Sequence, residues 1–204
     1  MNDLYLYERK LWQEGKTKIA GVDEAGRGPM AGPLVAAAVV LNPDKKIPGL
    51  NDSKKLSPKK RQFLYDEIIK EALAVKVCFI SVEEVDRLNV YQASKIAMQK
   101  AIASIDFELD YVLSDALALD IGLPCLSIIK GDNKSASIAA ASIVAKVERD
   151  RYMSKLELSF PLYSFAHHKG YVTKKHLEEI RKYGITPHHR LTYSPVKQIL
   201  KQTL

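Results

Sequence analysis

Between Ile19 and Leu41 the chain lays down two apolar runs joined by a turn that no helix can cross. The first run, Ile19-Ala20-Gly21-Val22, delivers two adjacent carboxylates, Asp23 and Glu24. Gly26-Arg27-Gly28 then turns the chain, Pro29 and Pro33 forbid a regular helix, and Leu34 to Leu41 is apolar throughout. Strand, turn and strand in that order read as a hairpin. The fold therefore contains a sheet, and that sheet carries acid beside a glycine-lined basic loop. A lone Asp-Glu at a strand end is ordinarily a solvated turn, so its meaning depends on partners elsewhere in the chain. The loop is neither a Walker loop, which needs a Gly-Lys-Ser/Thr ending, nor a dinucleotide loop, which must open a helix.

Periodicity and capping signals set out the remaining elements. Residues 3–14 read as a short amphipathic helix that stops at Gly15 and braces the core. After a turn-rich loop, Ser57-Pro58 supplies an N-cap and first helical residue for a helix to about Ala72. Val75 to Ile80 is a third strand, and Ser81 with Glu84 has capping-box spacing for the turn that follows. Val90 to Ile105 is a core-facing helix with no chemistry of its own. Tyr111 to Asp115 is a strand that ends in acid, and Cys125 to Ile129 is a fifth strand running into Lys130-Gly131-Asp132. Ser135 to Glu157 is a long helix, enclosed at its apolar start and amphipathic from Lys146. A helix near Lys174 to Tyr183 and a basic tail from Pro187, ending in a short helix, complete the chain.

With 204 residues and 47% hydrophobic content the chain is expected to form one domain with an ample core. No apolar run is long enough for a membrane span, and Asp3, Glu8 and Arg9 stand where a signal peptide would be apolar, so a cytoplasmic, soluble protein is expected. Cys78 and Cys125 lie in strand-like apolar surroundings and read as buried thiols, neither a disulfide framework nor a zinc motif. The net charge of +7 is concentrated at one end: residues 160–204 carry eight Lys/Arg against Glu178 and Glu179. A basic end on a balanced protein suits a polyanion such as nucleic acid, although a solubilising surface has the same composition. His167, His168, His176, His188 and His189 lack chelate spacing and read as nucleic-acid contacts or surface.

Asp23, Glu24, Asp115 and Asp132 fall at the ends of three strands far apart in sequence. Gathered in one sheet, they would be tolerated only with some protonated or with a cation between them. Hard oxygen ligands favour Mg²⁺, with Mn²⁺ as the substitute. Two such ions roughly 4 Å apart would bridge a scissile phosphate. Neighbours in a strand face opposite ways, so Asp23 and Glu24 are expected to reach one ion only through a twist or bulge. Asp23 is expected to bridge the ions, with Glu24 serving one site less directly. Ser53, Lys54 and Lys55 precede a helix, which is ordinarily a solvated position but one from which phosphate can be contacted.

The Asp-Glu-Ala-Gly-Arg-Gly-Pro block at residues 23–29 resembles the type 2 ribonucleases H, the bacterial ribonuclease HII family in particular. Further matches are Asn51 to Leu56, Asp115, Lys130-Gly131-Asp132, Ala140 to Asp150, and His168-Lys169-Gly170-Tyr171. Many family members follow the third acid with Gly, where this chain has Ala116. The resemblance implies an α/β ribonuclease H-like fold, a mixed five-stranded sheet flanked by helices, with a core near residues 17–160 and a basic helical C-terminal extension near 161–204. It implies a two-metal endoribonuclease that acts on RNA/DNA hybrids and on duplex DNA with embedded ribonucleotides, with Asp23, Glu24, Asp115 and Asp132 as catalytic metal ligands. It further implies that Gly26, Arg27 and Gly28 sense the ribonucleotide and that Tyr171 stacks at the RNA to DNA junction. Lys54 and Lys146 are the expected backbone contacts. Nothing requires more than a monomer. The rivals are the sister ribonuclease HIII, for whose extra N-terminal domain the roughly 17 residues before the first strand leave no room, and a hybrid-binding module without catalysis.

Overall fold

The structure, a computed structural model, describes residues 3–203. The elements run α1 (Leu6–Gln13), β1 (Ile19–Ala25), β2 (Leu34–Val40), α2 (Pro58–Glu71), β3 (Ala74–Ile80), α3 (Val82–Leu88), α4 (Val90–Ala103), β4 (Tyr111–Asp115), β5 (Cys125–Ile128), α5 (Ala136–Ser159), α6 (Phe165–His168), α7 (Lys174–Tyr183) and α8 (Ser194–Thr203). Short 3-10 turns occupy Ser53–Lys55 and Gly131–Asn133.

The five strands form one mixed sheet in the order β3-β2-β1-β4-β5. The expected hairpin is present: β1 and β2 are antiparallel, with Glu24 opposite Ala36. On its other side β1 pairs in parallel with β4, Val22 opposite Ser114. Every residue of β2 is buried, as a strand covered on both faces requires. On one face Val22, Ala36 and Ile80 pack with Ala97, Met98 and Ala101 of α4. On the other, Ala37 and Val39 pack with Leu64 and Ile68 of α2 and Ala140, Ile143 and Val144 of α5.

One glycine sets how closely α5 approaches the sheet. A Cβ at Gly21 would lie 2.1 Å from the carbonyl carbon of Ser137, so no other residue lets the start of α5 rest on β1 there. The same helix start is capped from outside by α1. Buried Glu8 accepts hydrogen bonds at Oε1 from the Ser135 hydroxyl (2.5 Å) and the Ser137 N–H (2.9 Å), where the helix leaves its donors unpaired. The brace expected of residues 3–14 thus works by capping as well as by packing Tyr7, Leu11 and Trp12 near Ile19 and Ile138.

Three expectations are corrected. The capping box at Ser81 and Glu84 opens a helix, α3, and not merely a turn. Cys78 and Cys125 are half-buried. His168, His176 and His189 are buried against Phe165 and Tyr163, a third core built with Met30, Met153, Ile180 and Val196. Among the described residues no helix is long and apolar enough to cross a membrane.

Candidate active site

Parallel pairing of β1 with β4 brings acids distant in sequence to one end of the sheet. Because Val22 lies opposite Ser114, Asp23 and Asp115 are neighbours one residue further on. Asp115 is the last residue of β4, whereas Asp23 and Glu24 lie inside β1, which continues to Ala25. Asp132 does not end a strand: it sits four residues beyond β5, in the buried 3-10 turn. That turn is tied back by the Gly131 N–H, which donates to Asp115 Oδ1 at 2.7 Å.

Of the twist or bulge expected at Asp23–Glu24, no bulge is present. The β1–β2 ladder runs unbroken through Asp23–Ala37, Glu24–Ala36 and Ala25–Val35. Strand alternation starts Asp23 and Glu24 towards opposite faces, yet at the end of the strand Glu24 lines a cleft together with Ser142 and Lys146 of α5. Glu24 also lies within the field of Asp115, being close to the strand end.

The electrostatics are those of crowded acid. Asp23 is 5% exposed, and burial, Glu24 and Asp115, in that order, hold its carboxyl well above the usual range. A hydrogen bond from Ser142 and the Glu24 N–H, 2.7 Å from Oδ1, oppose this without cancelling it. Glu24 is raised by burial, then Asp115, against the pull of Arg27, whose Nη1 stands 3.4 Å from Oε1. Asp132 is raised by burial, Asp52 and Asp115. The other oxygen of Glu24, Oε2, is buried without a hydrogen-bond partner.

These properties suit a divalent cation: an orphaned acceptor and mutually repelling carboxylates, which Arg27 and Lys54 offset only in part. Among the described residues no three His, Cys, Asp or Glu side chains are already closed around a point that would enclose an ion.

Beside the acids opens a cleft of about 180 Å³. Its walls contain Glu24, the Gly26-Arg27-Gly28 loop, Lys54, Lys146 and Tyr171, so the expected sugar-sensing loop, the stacking tyrosine and two of the expected phosphate contacts face one space, whereas Lys55 and the histidines do not line it. Of the four acids only Glu24 lines it directly. Gly28 faces Tyr171, with room for a Cβ 3.8 Å from the ring. Lys146 pairs with Asp150 at 2.7 Å and stands 5.9 Å from the centre of the Tyr171 ring. Tyr171 itself is 43% exposed, an aromatic face turned to solvent in a basic setting.

Several contributors carry no strong signal in the sequence. Ser53, which the sequence places where phosphate can be contacted, is instead buried and shares a 3.0 Å hydrogen bond with Ser142 beneath Asp23; Ser142 is an ordinary helical serine. Asp52 faces Asp132. Arg149 and Arg190 are fully buried behind the glycine loop, although a guanidinium on an amphipathic helix or in a basic tail reads as solvent-facing.

Acids from two parallel strands and the turn beyond a third, gathered at one end of a mixed five-stranded sheet beside a basic cleft, define a nuclease of the ribonuclease H class. The family model described as Ribonuclease HII matches residues 20–196. Ribonuclease HII of Geobacillus kaustophilus is 49% identical over 199 residues, 98% of this chain and 76% of the relative. The solved structure of ribonuclease H2 from Pyrococcus horikoshii superposes with a TM-score of 0.77 at 29% identity, covering 91% of this chain and 98% of that one. RNase HII of Archaeoglobus fulgidus, solved in complex with PCNA, gives 0.74 at 28% identity, covering 87% and 95%. The chain belongs to the ribonuclease HII family.

Proposed function

We propose that this protein hydrolyses the RNA strand of RNA/DNA hybrids and cuts on the 5′ side of ribonucleotides embedded in duplex DNA, leaving a 3′-hydroxyl and a 5′-phosphate. The observation that carries this reading is the meeting of Asp23 and Glu24, both raised and Glu24 with an orphaned oxygen, with Asp115 beside a cleft walled by Gly26-Arg27-Gly28 and Tyr171. Asp23, Glu24, Asp115 and Asp132 would hold Mg²⁺ or Mn²⁺, two ions during turnover. When bound, such ions activate a water for in-line attack and stabilise the leaving 3′ oxygen.

The chain's own groups account for recognition. Glycines without a Cβ let main-chain groups of residues 26–28 approach the ribose, whose 2′-hydroxyl distinguishes RNA from DNA. Tyr171, opposite Gly28, stacks on the next sugar at the junction, and Arg27, Lys54 and Lys146 meet phosphate. The physiological reading is removal of misincorporated ribonucleotides and RNA primers in the cytoplasm. Residues 1–204 act as one catalytic domain and as a monomer, the core near 17–160 carrying the acids and the extension near 161–204 carrying Tyr171.

The test is Mg²⁺-dependent cleavage of a labelled duplex with one embedded ribonucleotide, beside a long hybrid and an all-DNA duplex. A cut 5′ of the ribonucleotide, abolished by Asp23→Asn, supports the proposal. Cleavage of the hybrid alone points to the ribonuclease HIII class, and binding without cleavage under Mg²⁺ or Mn²⁺ refutes the enzyme.

A further inference from the structure

Behind the glycine loop lie two cations without an anion. Arg149, from α5, and Arg190, from the segment before α8, are both 0% exposed. Among the described residues neither forms an ion pair with a carboxylate. Burial of an unpaired charge is costly, and carbonyl dipoles compensate only in part. Burial, and then the neighbouring Arg190, lower the pKa of Arg149 to about 10.

What the two guanidiniums do hold is main chain. Arg149 donates to the carbonyls of Pro33 (3.0 Å), Ala31 (3.0 Å) and Lys169 (2.9 Å). Arg190 donates to Gly32 (2.8 and 3.1 Å) and to Arg27 (3.1 Å). The Tyr193 hydroxyl accepts from Arg190 and donates to the same Arg27 carbonyl at 2.6 Å. The glycines are spaced for this arrangement: a Cβ at Gly26 would lie 2.3 Å from Arg149 Nε, and one at Gly170 2.2 Å from the Ala31 carbonyl oxygen. Two segments more than a hundred residues apart, 26–33 and 169–171, are thereby stapled so that Gly28 and Tyr171 face each other.

We infer that Arg149 and Arg190 are positioning residues for substrate recognition, fixing the ribose-sensing loop and Tyr171 as one rigid wall and placing at its back a positive charge that the anionic backbone of the substrate complements. The inference rests on the reading of the cleft as the nucleic-acid site. Arg149 itself reaches the cleft wall, so the charge acts at short range. Neither residue touches the reacting atoms.

The test compares wild type, Arg149→Lys, Arg149→Met and Tyr193→Phe in two measurements. The first is affinity for a fluorescent duplex with one ribonucleotide, and for its all-DNA counterpart, without divalent cation across a salt series; the second is the cleavage assay. Arg149→Lys keeps the charge and loses the fork, so its preference for the ribonucleotide-bearing duplex should fall and KM should rise, with a loss in kcat/KM on the order of 10- to 100-fold. Its salt slope and its half-saturating Mg²⁺ should not change. Arg149→Met should also reduce the salt slope, by about 1. Tyr193→Phe removes one hydroxyl from the staple and should cost about fivefold in KM. Should the Arg149 variants fail to fold, Tyr193→Phe decides. Wild-type preference and KM in Arg149→Lys and Tyr193→Phe overturn the inference, as does a defect confined to kcat with a shifted Mg²⁺ requirement. Absence of cleavage by wild type refutes the nuclease reading instead, and the binding series still reads the staple.

Discussion

Asp115 accepts the main-chain N–H of Gly131 at 2.7 Å, and through that one bond the end of β4 sets the position of the turn that carries Asp132. The turn is closely packed. A Cβ at Gly131 would meet Ile138 Cδ1 at 2.6 Å and Asp115 Oδ1 at 3.3 Å.

Gly131→Ala should therefore displace the end of the Ile138 side chain and press on the Asp115 carboxylate that holds the turn. Overpacking of this kind costs about 1–3 kcal/mol, and a shift of about 1 Å at the acids would cost on the order of 10²-fold in rate. Thermal melting and the cleavage assay measure the two losses separately. Wild-type rate in a folded Gly131→Ala protein would show that Asp132 need not be held by Asp115.

Asp23→Asn should separate stability from activity. The folded-state pKa of Asp23 lies above the ordinary value, so its charge costs stability above that pKa and the cost is relieved as pH falls. A neutral amide removes the cost at neutral pH. Without divalent cation, melting should rise by the equivalent of about 1–2 kcal/mol, at about 2–4 °C per kcal/mol. Added Mg²⁺ or Mn²⁺ should stabilise wild type and leave the variant unmoved, while cleavage falls by at least the order of 10². A variant less stable than cation-free wild type would contradict this picture of the site.

The buried histidines predict acid lability. Thr186 N–H donates to His189 Nδ1 (2.9 Å), so His189 Nε2 carries the proton and donates to His176 Nε2 (3.0 Å), leaving His176 Nδ1–H for the Tyr171 carbonyl (2.9 Å). His168, stacked on His176 at 3.9 Å, accepts from Gly170 N–H and faces Glu179 Oε2 at 3.0 Å. All three rings are neutral in this network, and burial first of all lowers His176 and His189 to about 4. Their folded pKa values lie below the unfolded value near 6.5, so the stability is complete above about pH 6.5 and is lost as pH falls towards 4. Melting followed from pH 7 to 5 in Asp23→Asn, which lacks the opposite gain at that carboxylate, should show a loss of about 1–2 kcal/mol per pH unit. A flat profile would mean that the rings are already charged or exposed.

Much of the architecture was legible because it is local. Pro29 and Pro33 between two apolar runs leave only a hairpin, and Ser57-Pro58 starts α2 where capping chemistry places it. The gathering of the acids is not local: it depends on the parallel register of Val22 with Ser114, which no periodicity records, and it was reached through the family resemblance. The histidines and the two buried arginines were misread or passed over for a related reason. Their side chains are polar types that solvent usually takes, and only a partner segment distant in sequence, 26–33 for the arginines, turns them inward.

Ala116 follows Asp115 at the point where the resemblance leads us to expect Gly. Its φ is 52°, in the left-handed region, and it is the centre of a three-residue turn closed by the Leu117 N–H on the Asp115 carbonyl at 2.7 Å. Its own N–H is engaged by the Ile128 carbonyl at 3.1 Å, so the residue cannot relax without disturbing the β4–β5 edge beside Asp115. An L side chain in this region costs about 1–2 kcal/mol, whereas glycine adds about 0.4–1 kcal/mol of unfolded-state entropy to be lost. The strain is the larger effect. Ala116→Gly should therefore stabilise by about 0.5–1 kcal/mol, seen as a melting temperature about 2–3 °C higher, with cleavage kept within about twofold because the main-chain bonds on either side are unchanged. A lower melting temperature would mean that the alanine methyl contributes packing at this turn that outweighs its strain.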